Sequence, residues 1–325
     1  MKLFNKVYLK KIGKILVATF NGFINDNGLK LSASLAYYTV FSLAPLLILV
    51  ISLAGLFYGQ EAAASHLYPQ IAQYVGKQAA LQIQDMLKNL QLSGKTGMAV
   101  IIGVVTLLIG ASSIFIEIQD SLNIIWRVKA KPKRGWVKLI QNRFLSFSLI
   151  VSLGFLLLVS LVINFLMAAL STRIEHFLHY ITSLLIKLIN LGITLVVIAV
   201  LFGIIFKVLP DVKIKWKDVR AGAIFTALLF MLGQYVIGLY IQYTAQSSAY
   251  GAAGSIIVIL LWIYYTSAIL YIGAEFTQVY AEAIGSQIEP AEYAVHVQQT
   301  EVEKVVDNLP PQNPEIKGQL KNDQA

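Results

Sequence analysis

Residues 183–206 read SLLIKLINLGITLVVIAVLFGIIF, a run in which Lys187 is the only charged side chain. A helix of this length crosses the hydrocarbon core of a bilayer, which needs about 20 apolar residues. Five further stretches have the same character and a similar length. They cover residues 33–57, 97–116, 144–170, 219–243 and 251–275. The sequence therefore predicts an all-α integral membrane protein whose core is a bundle of six transmembrane helices.

The composition agrees with a membrane protein. Hydrophobic residues make up 57% of the chain, charged residues 13%, and the mean hydropathy is +0.68. Soluble domains typically carry about 25% charge. The first apolar stretch begins after residue 30 and is too long for the hydrophobic region of a signal peptide, so we expect it to remain as the first span. The chain has no cysteine, which excludes disulfides and thiolate chemistry.

The loops between the six stretches differ in basic residues. Six lysines precede the first stretch, seven Lys or Arg lie in 127–143, and five lie in 207–220. The alternate segments 58–96, 171–182 and 244–250 carry three, one and none. Lys and Arg in short loops stay on the cytoplasmic side. The alternation therefore predicts a multi-pass membrane protein with both termini in the cytoplasm.

The same loops account for the net charge of +9. Basic residues that flank apolar spans face anionic lipid headgroups, so membrane lipids are the expected partners. A protein that binds nucleic acid would need a basic domain of its own, and we expect none here. The sequence leaves open whether the protein forms a homo-oligomer.

Three regions follow from these patterns. Residues 1–30 form a basic amphipathic helix on the cytoplasmic leaflet, because apolar residues recur at helical spacing among lysines. Residues 31–281 form the six-helix transmembrane domain. Residues 282–325 carry eight acidic residues and three lysines and contain Pro310, Pro311 and Pro314, which predicts a disordered, acidic cytoplasmic tail.

Polar residues inside the apolar stretches are candidates for a transport pathway, because unpaired polar groups are costly in hydrocarbon. In the first span Ser34, Tyr38 and Ser42 share one helical face, and Pro45 should kink the helix. This face either makes interhelical hydrogen bonds or lines a cavity. The complete predicted pathway comprises Ser34, Tyr38, Ser42, Pro45, Gln234, Ser255, Trp262, Tyr265 and Glu275.

Charged residues at the cytoplasmic ends of the spans form a second candidate site. Glu117, Asp120 and Asn123 are spaced three apart and share a helical face. They either anchor the basic loop by salt bridges or bind a proton or cation. Glu275 ends an otherwise uncharged span, and either pairs with a Lys or Arg of 127–143 or acts as a titratable gate.

No catalytic pattern is found. The chain lacks a phosphate-binding loop of the Walker type, a G-x-S-x-G motif and an H-E-x-x-H motif. His176 and His179 alone do not make a metal site. We therefore expect no enzyme activity, no metal and no cofactor.

Several motifs resemble those of the YihY/BrkB family of bacterial inner-membrane proteins. The match spans about residues 10–285. Its motifs are, in order, a first span rich in serine and tyrosine that ends in Ala44-Pro45, then Asn123-Ile-Ile-Trp126, Leu209-Pro210, Trp216-Lys-Asp218, Gly222-Ala223, Tyr250-Gly251, Leu261-Trp262-Ile-Tyr264 and Gly273-Ala-Glu275-Phe276. The resemblance implies a six-helix topology and a location in the bacterial inner membrane. Members were long labelled ribonuclease BN, a label that this chain does not support because it lacks clustered metal ligands.

Two functions from different classes remain. The first is a transporter or flippase-like protein that moves a lipid, another amphiphile or a small solute along the polar faces of the spans. The second is a scaffold that organises envelope enzymes without transport. A ribonuclease is a remote third.

Overall fold

The computed structural model describes residues 6–42, 110, 113–131, 181–244 and 253–298. Six helices lie in these ranges: α1 (Lys6–Asn25), α2 (28–42), α3 (113–125), α4 (Ile181–Val208), α5 (Trp216–Thr244) and α6 (Ala253–Ala283). Four short strands accompany them: β1 (Val128–Ala130), β2 (Val212–Lys213), β3 (Glu289–Pro290) and β4 (Ala294–His296). The chain is therefore mainly helical where the structure describes it, as expected.

Among the described residues, two helices are long and apolar enough to cross a membrane, judged by length and composition. They contain the segments Leu191–Val208 in α4 and Trp216–Ile237 in α5. The predicted spans 183–206 and 219–243 lie within these helices, and α6 covers most of 251–275. The span 144–170 lies outside the described residues, as does most of 33–57 and of 97–116. The number of spans stays a prediction.

Helix α1 is apolar on more than one side. Ile15, Thr19 and Phe23 follow one another at intervals of four and are buried, and the helix packs against α6. Leu16, Val17, Phe20 and Ile24 are exposed. A helix that exposes large apolar side chains beside its packed face is suited to lie against lipid. It ends in a turn at Asp26 and Asn27, where Asn27 adopts a left-handed φ of 56°.

The contact between α5 and α6 is built from a reciprocal pair of glycines and threonines. Gly222 on α5 lies against Thr277 on α6, and Gly273 on α6 lies against Thr226 on α5. Each threonine hydroxyl donates to the carbonyl of the glycine four residues earlier on its own helix, at 2.7 Å in both cases. Small residues let two helix backbones approach closely, which is a common way to join helices in membranes.

The strands correct one prediction. Residues 282–298 are ordered rather than disordered: α6 continues to Ala283, and β3 and β4 follow it. β4 pairs antiparallel with β1, Val128 facing His296, and β3 pairs antiparallel with β2, Val212 facing Pro290. The acidic composition suggested disorder, but backbone hydrogen bonds to two loops stabilise this segment. The rest of the predicted tail, 299–325, lies outside the described residues.

Candidate functional site

The loops at one end of the helices converge through side-chain contacts. The α1–α2 turn contributes Asp26, the end of α3 contributes Asn123 and Arg127, the loop after α4 contributes Asp211, and α6 contributes Glu275. These residues form two neighbouring groups, which share α3 and the residues that follow it.

The first group, called here the carboxyl cluster, comprises Asp26, Arg127 and Glu275. Arg127 Nη2 lies 2.5 Å from Asp26 Oδ1. The Asp26 and Glu275 side chains lie close enough to interact, and both residues are buried, with 8% and 2% of their surfaces exposed. Burial raises the pKa of Asp26 above its ordinary value, although the Arg127 charge and the hydrogen bonds to Glu275 and Arg127 act in the opposite direction.

Helix packing holds both acidic groups in place. Gly22 on α1 leaves room for the Glu275 carboxyl, since a Cβ atom at Gly22 would lie 2.6 Å from Glu275 Oε2. Trp126 Nε1 donates to the carbonyl of Ala274, the residue before Glu275, at 3.1 Å. Arg127 adopts a left-handed φ of 55°, and its carbonyl accepts from Val297 N–H at 2.8 Å. The segment after β4 therefore helps to position the arginine.

The second group joins α3 to the loop after α4. Asn123 Nδ2 donates to Asp211 Oδ2 at 2.9 Å, and Asp211 N–H donates to Asn123 Oδ1 at the same distance. Gln119 Nε2 donates to Asp211 Oδ1 at 3.2 Å. Asn123 and Asp211 are buried, at 7% and 2% exposed. The carboxylate of Asp211 is thus satisfied by amide donors, as a buried charge requires.

A cavity of about 620 Å³ opens beside this group. Its polar lining is Gln119, Asp120, Asn123, Arg127, Lys129 and Asp211, and Val297 closes part of it. Partial burial in the cavity wall raises the pKa of Asp120, and repulsion from Glu117 and Asp211 raises it further. The Asp120 side chain nevertheless keeps contact with solvent. The size is in the range of small-molecule sites, about 300–1,000 Å³. Acidic and basic groups line the same space.

The predicted pathway residues of α2 face different surroundings. Ser42 is buried and donates to the carbonyl of Tyr38 at 2.9 Å, and a Cβ atom at Gly110 would lie 2.7 Å from its hydroxyl. Ser34 is half-buried, whereas Tyr38 is 39% exposed. Pro45 lies outside the described residues. The hydroxyl of Ser42 therefore serves its own helix.

The remaining pathway residues lie on α5 and α6. Gln234 is exposed, and Trp262 packs edge-on against Phe230 with ring centroids 6.2 Å apart. Tyr265 is half-buried and fills the space that Gly233 leaves open. Ser255 lies in α6, and its side chain is outside the described part of the structure. Glu275 is the one predicted pathway residue that belongs to the carboxyl cluster.

The predicted trio of Glu117, Asp120 and Asn123 is brought together only in part. Asp120 and Asn123 both line the cavity, whereas Glu117 is half-buried and acts on Asp120 through its charge. Sequence reasoning missed Asp26 and Asp211 as members of the site. Asp26 precedes a turn at Asn27-Gly28, and Asp211 follows the Leu209-Pro210 motif, so both carried a local signal. Within the described ranges no group of three or more His, Cys, Asp or Glu residues is arranged to hold a metal ion.

The helical architecture and its two candidate spans define an α-helical protein suited to a membrane. The chain belongs to the virulence factor BrkB family, whose profile matches residues 19–296, so it is an all-α protein of a bacterial membrane. This confirms the resemblance found in the motifs.

Its similar proteins include UPF0761 membrane proteins of three bacteria. That of Pseudomonas aeruginosa is 27% identical over 254 residues, covering 78% of this chain and 59% of the relative. That of Stenotrophomonas maltophilia is 26% identical over 258 residues, with 78% and 58% covered, and that of Rhodospirillum centenum is 27% identical over 267 residues, with 80% and 56% covered. The chain thus spans less than two thirds of their length. No solved structure matches the chain.

Proposed function

We propose that this protein is a transporter that spans the bacterial inner membrane six times, with both termini in the cytoplasm, and moves an amphiphile or a small solute. The alternation of basic loops supports the topology. The basic residues also support a site at the cytoplasmic ends of the helices, since β1 and β2 belong to two of the basic loops. The proposal assigns no chemical reaction to the chain.

The observation that carries the proposal is the polar cavity beside the carboxyl cluster. Charged residues that are buried in a membrane protein are costly unless paired, and they commonly mark substrate or ion pathways. Here the charged groups enclose a space of about 620 Å³ that combines Asp120 with Arg127 and Lys129. A cavity lined in this way offers hydrogen bonds and both signs of charge to a polar headgroup or solute.

The exposed apolar faces favour an amphiphile as the cargo. α1 exposes Leu16, Val17, Phe20 and Ile24 near the turn that carries Asp26, and α2 exposes Tyr37 and Phe41. A lipid tail could remain against such surfaces while its headgroup enters the cavity. This arrangement needs no fully enclosed path for the hydrocarbon chain, whose burial in protein is unnecessary when lipid surrounds it.

Translocation of labelled lipids by the purified full-length chain in proteoliposomes tests the proposal. We expect translocation above that of empty vesicles, and a several-fold loss of rate in Glu275→Gln. The matched control is Glu282→Gln, two turns further along α6, where the carboxyl is exposed and accepts a hydrogen bond from Gln278 Nε2 at 3.2 Å. Folded protein that translocates neither lipids nor a panel of small solutes would refute transport and favour a scaffold.

A further inference from the structure

The carboxyl cluster contains more negative than positive charge. Two ionised carboxylates, Asp26 and Glu275, would face one guanidinium, Arg127. Among the described residues, the other charge that acts on Glu275 is Glu282, on the same helix, which is also negative. A buried carboxylate without a matching cation is strongly unfavourable, and such a group commonly takes up a proton instead.

The hydrogen bonds show where that proton fits. Asp26 accepts from Arg127 Nη2, so the charge of Asp26 has a partner. Glu275 Oε1 is buried and receives no hydrogen bond from any donor in the described part of the chain. The two carboxyl groups nevertheless lie close enough to interact, and a hydrogen bond between two carboxyls requires a proton on one of them. A proton on Glu275 supplies the missing donor.

We infer that the carboxyl cluster is a proton-binding site, in which Glu275 holds the proton and donates it in a hydrogen bond to Asp26, and that its occupancy couples proton movement to transport. The coupling rests on the proposed function, whereas the proton site does not. On release, the O–H bond of Glu275 breaks, the electron pair stays on oxygen, and the proton passes to water.

Loss of the proton changes the contacts of three elements. The Glu275 carboxylate then repels Asp26 and competes with it for Arg127, which also lines the cavity. The carboxyl lies against Gly22 on α1, so repulsion acts directly on the contact between α1 and α6. The added negative charge draws Arg127 toward the cluster and away from the cavity wall. Proton release and a change of the cavity wall are linked through one side chain.

Infrared titration of the full-length protein in liposomes tests the proton site without transport. We expect the carbonyl stretching band of a protonated carboxylic acid near neutral pH, its loss on titration to alkaline pH, and its absence in Glu275→Gln. Glu282→Gln should keep the band. Asp26→Asn provides a second variant: Glu275 then faces Arg127 without a competing carboxylate, so the band should be lost at a lower pH than in the wild type. Identical titrations of the wild type and of Glu275→Gln would overturn the inference.

Flux measured with and without a pH gradient tests the coupling. We expect a gradient to drive wild-type flux, and flux in Glu275→Gln to be small and equal under both conditions. The two proposals fail differently. An absence of flux under every condition refutes the transport function. The proton site is then still tested by the infrared band, which does not depend on transport. Flux that ignores the gradient, in protein that shows the band, refutes the coupling.

Discussion

The contact between α5 and α6 gives a prediction whose size follows from the geometry. In Gly222→Ala the new Cβ would lie 1.8 Å from Thr277 Oγ1, 2.8 Å from its Cβ and 3.2 Å from its Cα. Ordinary contact begins near 3.4 Å. Turning the threonine side chain removes only the first clash, because the Cβ position is fixed by the backbone. The backbones must therefore separate by about 0.6 Å, the difference between 2.8 and 3.4 Å, at a tightly packed crossing.

Overpacking of this kind typically costs about 1–3 kcal/mol. Alanine offsets part of this loss, since it is favoured over glycine by about 1 kcal/mol in a helix. We therefore expect a net loss of up to about 2 kcal/mol in the free energy of unfolding, measured in detergent micelles by circular dichroism. The double variant Gly222→Ala/Thr277→Ala, which removes the Oγ1 clash, should recover part of it.

The matched control is Gly13→Ala on α1, where a Cβ atom meets nothing within 4 Å. The same substitution should there stabilise the protein by up to about 1 kcal/mol, since only helix propensity changes. Equal effects of Gly222→Ala and Gly13→Ala would refute the close approach of α5 and α6.

Three further predictions concern the cavity and the strands. Asn123→Ala removes both hydrogen bonds to Asp211 and should destabilise the protein by about 1–3 kcal/mol in chemical unfolding. The pKa of Asp120 is raised in the folded state, so its carboxyl destabilises the fold increasingly as pH rises above the ordinary value of 3.8. Asp120→Asn should therefore be more stable than the wild type at neutral pH. The melting temperatures of the two proteins should converge in acid. Glu292→Gln removes an exposed ion pair with Lys213 and should change unfolding by less than about 1 kcal/mol.

The apolar stretches predict the helices well because a membrane requires long helices whose sequence signal is continuous. α4 and α5 contain the predicted spans 183–206 and 219–243. The signal for the ordered segment after α6 is weaker, since β3 and β4 are only two and three residues long. Their stability comes from pairing with β2 and β1, which are distant in sequence. The composition of a short segment does not show which distant strand it will pair with.

Part of the candidate site could be predicted because a charged residue stands out in an apolar stretch. Glu275 is a lone carboxyl at the end of an apolar stretch, and its need for a partner suggested a basic residue of 127–143; the structure places Arg127 close enough to act on its charge. The ion pair itself, however, is formed with Asp26. Asp26 lies in a turn, where aspartate is common for local reasons, so its long-range role left no distinct pattern.

The absence of cysteine allows a direct test of the central claim, that the cavity is part of a transport route open to the cytoplasm. Lys129→Cys places a single thiol in the cavity wall, and Gln287→Cys places one on an exposed position that does not line it. Both should react with a membrane-impermeant maleimide applied from the cytoplasmic side. We predict that labelling at residue 129 blocks translocation, whereas labelling at residue 287 leaves the rate unchanged. Complete labelling at residue 129 with an unchanged rate would contradict the account.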